Sequence, residues 1–439
     1  MTHIWGIGWS IRNNLWALRA GCAGRVDTTQ PAEQGRWMTT SLRMTTAVAL
    51  LVLFGLDSNR AHASPLTSAF EAACALNPEV ETLTARRAEV DARKGAAGAL
   101  LPGGPWATVT HRTDALTHDR GTREYDAEFT VPVWLRGERS ASLAAALTGA
   151  ERLEAEISFR RLDVARRVRD AYWMVAEARE KLAVAERRRS TASNLAQTIQ
   201  AQAQAAQAEL VDTRMATADV RDAEAALAGR KSELNQARIA FRVLTGVEPP
   251  AAFTEQSTAA ASPDTHPRLL LRRKAIEKAE ADKTLVYAAD RERPEFGVFA
   301  SNARDTSAEP NVTSLGVRLK VPFAYDAVNA PKRAAATAEV IGAQSELAQA
   351  EREVRGDAAQ ARARLDGARQ QLAALDARYT DLATVVELSQ KSQQAGQTAL
   401  TDLIRARLQL YEAATAQVVA RIAVEKARSD YNQALGLEP

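Results

Sequence analysis

Residues 124–133 read Glu-Tyr-Asp-Ala-Glu-Phe-Thr-Val-Pro-Val, with Tyr125, Ala127, Phe129, Val131 and Val133 alternating against Glu124, Asp126, Glu128 and Thr130. A two-residue period puts the apolar side chains on one face and the polar ones on the other, so the stretch predicts a β-strand between unlike media. Trp106 to Arg112 alternates in the same way across a polar stretch, Thr113 to Thr122, which predicts a strand–loop–strand unit. The unit recurs. Phe296, Val298 and Ala300 form one strand pattern, and Leu315, Val317, Leu319 and Val321 set against Arg318 and Lys320 form another, with Ser301 to Ser314 as the loop.

The recurrence extends beyond the strands. Asn77-Pro78 returns as His266-Pro267, Pro105-Trp106-Ala107 as Pro294-Glu295-Phe296, and Val131-Pro132-Val133 as Val321-Pro322-Phe323. Leu210-Val211-Asp212 returns as Leu400-Thr401-Asp402, and Leu244-Thr245-Gly246 with Glu248-Pro249 as Leu435-Gly436 with Glu438-Pro439. The offset stays close to 190 residues throughout, so the chain reads as two tandem repeats, 64–250 and 265–439. Residues 251–264 lie in a Pro-, Ser-, Thr- and Ala-rich stretch and read as a linker.

Each strand pair is flanked by helical periodicity. Ser68 to Leu100 predicts a helix, with Ser68 and Glu71 spaced as a capping box. Val164, Val168, Ala171, Val175, Ala178, Leu182 and Ala185 are spaced alternately by four and three, which marks a coiled-coil seam with small residues at the contact. A single helix over 138–207 would run about 100 Å at 1.5 Å per residue, far longer than a globular core needs. The fold class is therefore mainly α with a small transmembrane β part: two strands and long coiled-coil helices per repeat.

Composition excludes several function classes. Fifty-seven Lys and Arg balance 54 Asp and Glu for a net charge of +3, with the signs interleaved, so there is no clustered basic face for nucleic acid. Two cysteines, Cys22 and Cys74, supply neither a disulfide framework nor a thiolate metal site. The five histidines (His3, His62, His111, His118 and His266) form no ligand motif, and no phosphate loop or nucleophile elbow occurs. The chain reads as a non-enzyme with no cofactor. Residues 38–63 carry Arg43, the apolar run Thr45 to Leu56 and the small-x-small site Ala61-His62-Ala63, a secretory signal peptide cut near Ser64. Residues 1–37 fit neither part and read as an upstream extension from an alternative start.

Four amphipathic strands of 8 to 10 residues are long enough to cross a bilayer when tilted, yet too few to close a barrel alone. Trp106, Tyr125, Phe129, Trp134, Phe296, Phe299, Phe323 and Tyr325 crowd these segments, as an interfacial aromatic girdle against lipid would require. Soluble hairpins packed on the helices are the plainer reading of the same pattern.

The order Leu66-Thr67, Asn77-Pro78, a Pro closing each second strand, a Leu-x-Asp at each helical turn and a terminal Leu-x-Gly, duplicated across 64–439, resembles the TolC-type outer membrane efflux family. The resemblance implies a homotrimer with a shared 12-stranded β-barrel and a periplasmic α-barrel. It also implies a periplasmic adaptor (membrane fusion) protein and an inner-membrane pump as partners, the pump being of the resistance-nodulation-division type. The stretch Leu162 to Tyr172 is similar to the CzcC- and CusC-like heavy-metal branch. An exit duct for protein secretion is the alternative within the family, and a periplasmic coiled-coil adaptor or scaffold the alternative outside it.

By the same resemblance the helical turns form a periplasmic tip gated by Asp212 and Asp402, with helix starts or solvated surface acids as the plainer reading of each. Gly396 keeps the small residue usual at one tip, whereas Ala206 replaces it at the other. Gln393 and Thr398 stand where a family lock has Tyr and Arg, and Arg405 where a second acid would be, so the gate is expected to be held differently.

Overall fold

The computed structural model describes residues 64–205, 209–255 and 262–439. The signal peptide assigned to 38–63 and the extension 1–37 lie outside the described residues. In chain order the elements are α1 (Pro65–Leu76), α2 (Pro78–Ala97), β1 (Trp106–Thr113), β2 (Arg123–Pro132), α3 (Glu138–Gln204) and α4 (Leu210–Thr245). A 3-10 turn (Pro263–Thr265) then precedes α5 (Pro267–Ala288), β3 (Glu295–Arg304), β4 (Val312–Lys320), α6 (Asp326–Gln394) and α7 (Leu400–Ala434). From α2 onward the second half repeats the order of the first, and the 67 residues of α3 and 69 of α6 each run about 100 Å.

Local chemistry explains the boundaries. The first helix starts earlier than the predicted capping box. Ser64 is the N-cap, its hydroxyl accepting from Thr67 N at 3.1 Å, and Ser68 instead donates back to the Pro65 carbonyl. The helix then breaks at Asn77-Pro78, where the Asn77 side chain accepts from the amides of Glu79 and Val80 and Pro78 occupies the first helical position. His266 does the same for α5, its Nδ1 accepting from Arg268 N at 3.0 Å ahead of Pro267. The second hairpin loop is shorter than predicted, because β3 and β4 stay paired from Ala303 and Val312 downwards.

The duplicated ends meet the duplicated starts. Helix α4 ends on Gly246 at φ +72°, where a Cβ would come within 2.9 Å of Leu76, and α7 ends on Gly436 at φ +80°, where one would come within 2.6 Å of Pro267. Thus α4 stops where α2 begins, and α7 stops where α5 begins. Each short upper helix continues the lower one beside its long neighbour.

The core sits where these joints face α3. The predicted seam is buried at Val164, Val168, Val175, Ala178 and Ala185 and half-buried at Ala171 and Leu182. A second buried stripe, Ala165, Arg169, Tyr172, Trp173 and Ala176, widens it, because α3 also packs against α1, α5 and α7. Leu66, Phe70 and Phe241 complete the cluster.

Arg169 is the anomaly in this core, being 1% exposed. Its guanidinium pairs with Glu255 at 2.8 Å and donates to the Leu437 carbonyl at 3.0 Å and to Gln433. Glu255 in turn accepts from Asn432 at 3.1 Å and from Ser429. The segment entering the linker, residues 250–254, is held to α3 ahead of this pair as well. Tyr172 Oη accepts from Thr254 N at 2.9 Å, Arg179 donates to the Pro250 and Ala251 carbonyls, and Phe253 packs edge-on against Tyr172.

Candidate functional site

The four strands form one antiparallel sheet in the order β1-β2-β3-β4, so the β1 and β4 edges carry unpaired backbone groups within the chain. Directly opposed residues share a face, and the register therefore sorts every side chain. One face carries Ala107, Val109 and His111 from β1, then Tyr125, Ala127, Phe129 and Val131 from β2. It continues through Phe296, Val298 and Ala300 to Leu315, Val317 and Leu319, and most of these large apolar side chains are exposed. The opposite face carries Thr108, Thr110 and Arg112, then Glu124, Asp126, Glu128 and Thr130, and finally Ser314, Arg318 and Lys320.

That register moves two of the eight girdle aromatics. Trp106 opposes Thr130 and Phe299 opposes Glu128, so both stand on the polar face, away from Tyr125, Phe129 and Phe296. Alternation failed to predict this because Trp106 begins its strand, where one residue decides the phase. Phe299 fills the space over Gly316, where an added Cβ would collide with the ring. Trp134, Phe323 and Tyr325 fall between the strands and the long helices. Trp134 donates to the Ala99 carbonyl at 3.1 Å beneath Arg293, while Phe323 and Tyr325 are exposed. Tyr125 stands alone towards the loop end, stacked on His111.

The polar face is an ordered wall of opposed charges. Arg112 pairs with Glu124 at 3.0 Å, Lys320 with Glu295 at 3.0 Å, and Arg318 with Glu128 while lying over the Phe299 ring. At the far end the two loops are tied together, Ser307 N donating to the Arg120 carbonyl and Thr122 Oγ1 to that of Asp305.

The opposite end of the chain holds the two helical turns. Ala206 lies outside the described residues. Gly396 caps α6 at φ +71°, its amide donating to the Gln393 carbonyl at 2.9 Å, and the Gln397 amide reaches that of Ser392. Thr398 bonds Ser392 across this turn, so the residues standing at the family's lock positions brace the turn itself. Asp212 and Asp402 each occupy the first turn of their helix, where a carboxylate complements the helix dipole. Asp402 also pairs with Arg405 at 3.1 Å on the exposed surface.

The turns differ in what they bury. Leu400 and Leu403 pack against Leu195, Ile199 and Ala216 of the first repeat, whereas Leu210 and Val211 remain exposed. Among the described residues no group of three or more His, Cys, Asp or Glu is placed to hold a metal ion, and no helix is long and apolar enough to cross a membrane.

Residues 71–247 match the family described as outer membrane efflux protein. The cobalt-zinc-cadmium resistance protein CzcC of Cupriavidus metallidurans is 25% identical over 277 residues, covering 60% of this chain and 65% of that protein. The match thus spans just under two thirds of this curated relative. Among solved structures, CusC superposes with a TM-score of 0.70 at 16% identity over 84% of this chain and 92% of its own. The CmeC outer membrane channel of Campylobacter jejuni gives 0.66 at 13% identity over 85% and 86%. The open state of the Neisseria gonorrhoeae MtrE outer membrane channel gives 0.66 at 19% identity over 84% and 88%. These likenesses establish the fold.

Proposed function

We propose that the chain, whose residues 71–247 match the outer membrane efflux protein family, is a member of that family and the outer membrane channel subunit of a tripartite efflux system, without catalytic activity of its own. One observation carries the reading. A single sheet is apolar on one face and charged on the other, has two unpaired edges, and stands on helices about 100 Å long. In a bilayer an unpaired edge has no water to satisfy it, so the edges of one copy must pair with those of others. Three copies supply 12 strands, a number that closes around an aqueous lumen lined by the charged face.

In this reading 64–250 and 265–439 are the two efflux repeats, exported to the periplasmic side by the signal peptide 38–63 and inserted in the outer membrane. Tyr125, Phe129 and Phe296 face lipid, with Trp134, Phe323 and Tyr325 at the helix-side rim. The helices reach through the periplasm towards an adaptor and an inner-membrane pump of the resistance-nodulation-division type. CzcC is named for cobalt, zinc and cadmium resistance, and heavy-metal cations are accordingly the cargo class we assign. Asp212, Asp402, Arg405 and Gly396 form the tip.

Cysteines placed singly at Val109 and Val317, in the middle of the two edge strands, test the assembly. Oxidation of the double variant in membranes should give covalent dimers and trimers, and planar-bilayer recording should give discrete conductance steps. Asp402→Ala should lower cation preference. A water-soluble monomer that neither cross-links nor conducts would support the scaffold alternative and overturn the channel.

A further inference from the structure

A cavity of about 290 Å³ opens between α3, α4, α6 and α7 above the two turns. Its wall holds three guanidinium groups, Arg187, Arg188 and Arg407, against one carboxylate, Asp219. Asp219 is already engaged by Arg188 at 3.5 Å, and Arg188 lies over the Tyr411 ring. Arg407 has no such partner. Its Nη2 donates to Gln390 Oε1 at 3.1 Å, while Nε and Nη1 are buried and meet no acceptor among the described residues. Burial pulls its pKa down and the Asp219 charge pulls it back up, yet an arginine keeps its proton at any physiological pH.

Arg407 lines this half-open cavity and keeps two donors without an acceptor, and because an unmade bond to a buried charged donor is costly, a small shift of its guanidinium toward an acceptor oxygen in the cavity would be favoured. The excess of positive charge disfavours a metal ion in the same place. The lining comes from both helical pairs, so an occupant would touch α3 and α4 on one side and α6 and α7 on the other.

We propose that this cavity is a binding site for a small oxyanion, phosphate or a carboxylate, which bridges the two helical pairs through Arg407 and Arg188. The site stands whether or not the chain conducts, since it is built from side chains of one copy.

The full-length protein in detergent, titrated with inorganic phosphate at constant ionic strength and followed by phosphorus NMR line width, tests it. Saturable broadening is expected for the unaltered chain, and Arg407→Gln should weaken it at least tenfold, while Arg369→Gln on the exposed surface of α6 should leave it intact. Acetate should compete if carboxylates share the site, and failure to compete restricts the class to phosphate. Gln390→Glu places an internal carboxylate beside Arg407 and should abolish binding without unfolding the bundle, which covers the case in which Arg407→Gln does not fold. Equal broadening in Gln390→Glu and the unaltered chain, or no saturation in either, overturns the site.

Discussion

Replacing Glu255 by Ala should be among the most damaging single changes available in this chain. The carboxylate is the acceptor for Arg169 Nε at 3.1 Å and Nη2 at 2.8 Å, and for Asn432 at 3.1 Å, and both ionic side chains are under a tenth exposed. Its removal strands a buried cation whose remaining acceptors are Gln433 and the Leu437 carbonyl. Breaking a buried pair from one side costs about 3–5 kcal/mol, because the surviving charge stays desolvated. Arg169→Met should fall at the lower end of that range, since Glu255 would keep its bonds from Ser429 and Asn432. The double variant should lose markedly less than the sum of the two. As a surface control, Asp163→Ala removes pairs with the largely exposed Arg166 and Arg167, and exposed pairs contribute about 1 kcal/mol or less.

The assay is denaturant-induced loss of the helical circular dichroism signal of the full-length protein in detergent, paired with limited proteolysis around residues 250–255. Glu255→Ala should expose that segment to cleavage before the helices melt. If it unfolds within about 1 kcal/mol of the unaltered chain, or if the two single changes add, the pair is not the fastener described here.

The helix-start pair Asn77 and His266 makes a second, pH-dependent prediction. Burial, with help from Arg268 and against Asp357, holds the His266 imidazole below its ordinary value of 6.5. The unfolded chain therefore binds more protons between that depressed value and 6.5. Stability should be full above 6.5 and decline as pH falls through this window, and His266→Asn, which copies the first repeat, should flatten the decline in thermal melts. Asn77→Ala should cost about 1 kcal/mol at any pH near neutral, read from the same melts. In the sheet, Gly316→Val should drive a side chain into Phe299, costing about 1–3 kcal/mol and lowering the yield of heat-modifiable oligomer on gels. Phe299→Ala in the same chain should restore it, and equal yields with and without that second change would remove the packing argument.

The strands were legible because one face of each is apolar over most of its length, so their phase is overdetermined; Tyr125 to Val131 left no choice. Trp106 was not, since a terminal residue has one neighbour to set its phase and an aromatic suits either face of a membrane sheet. The long helices were legible from Val164 to Ala185. Arg169 and Glu255 were not, being separated by 86 residues and indistinguishable by type from the surface charges around them. The one local signal was Arg169 between two seam residues, Val168 and Ala171, where a solvated side chain has no room. Arg407 was hidden for the same reason, beside a buried Ala406 and an exposed Leu408.

The duplicated landmarks acquire a common explanation from the joints. Leu-Thr-Gly at 244–246 and Asn-Pro at 77–78 are far apart in sequence, yet they are the two sides of one junction, as are Leu435-Gly436 and His266-Pro267. A helix of about 100 Å needs a partner of equal length, and each repeat builds that partner from two shorter helices running end to end. Helices α2 and α4 contribute 20 and 36 residues beside the 67 of α3. At such a junction one helix needs a left-handed residue to stop, and the next needs a side-chain cap and a proline to start. No other part of the repeat demands particular residue types so strictly, apart from the strand phase and the turns. The motifs therefore survive at constant spacing while the helical faces between them drift. A continuous helix in place of the junction would remove an interruption opposite α3, and the buried Arg169 cluster lies against the same core, where the segment entering the linker and the chain's last residues come together. The joint and the fastener are thus one region, at which the upper and lower parts of the bundle are registered to each other.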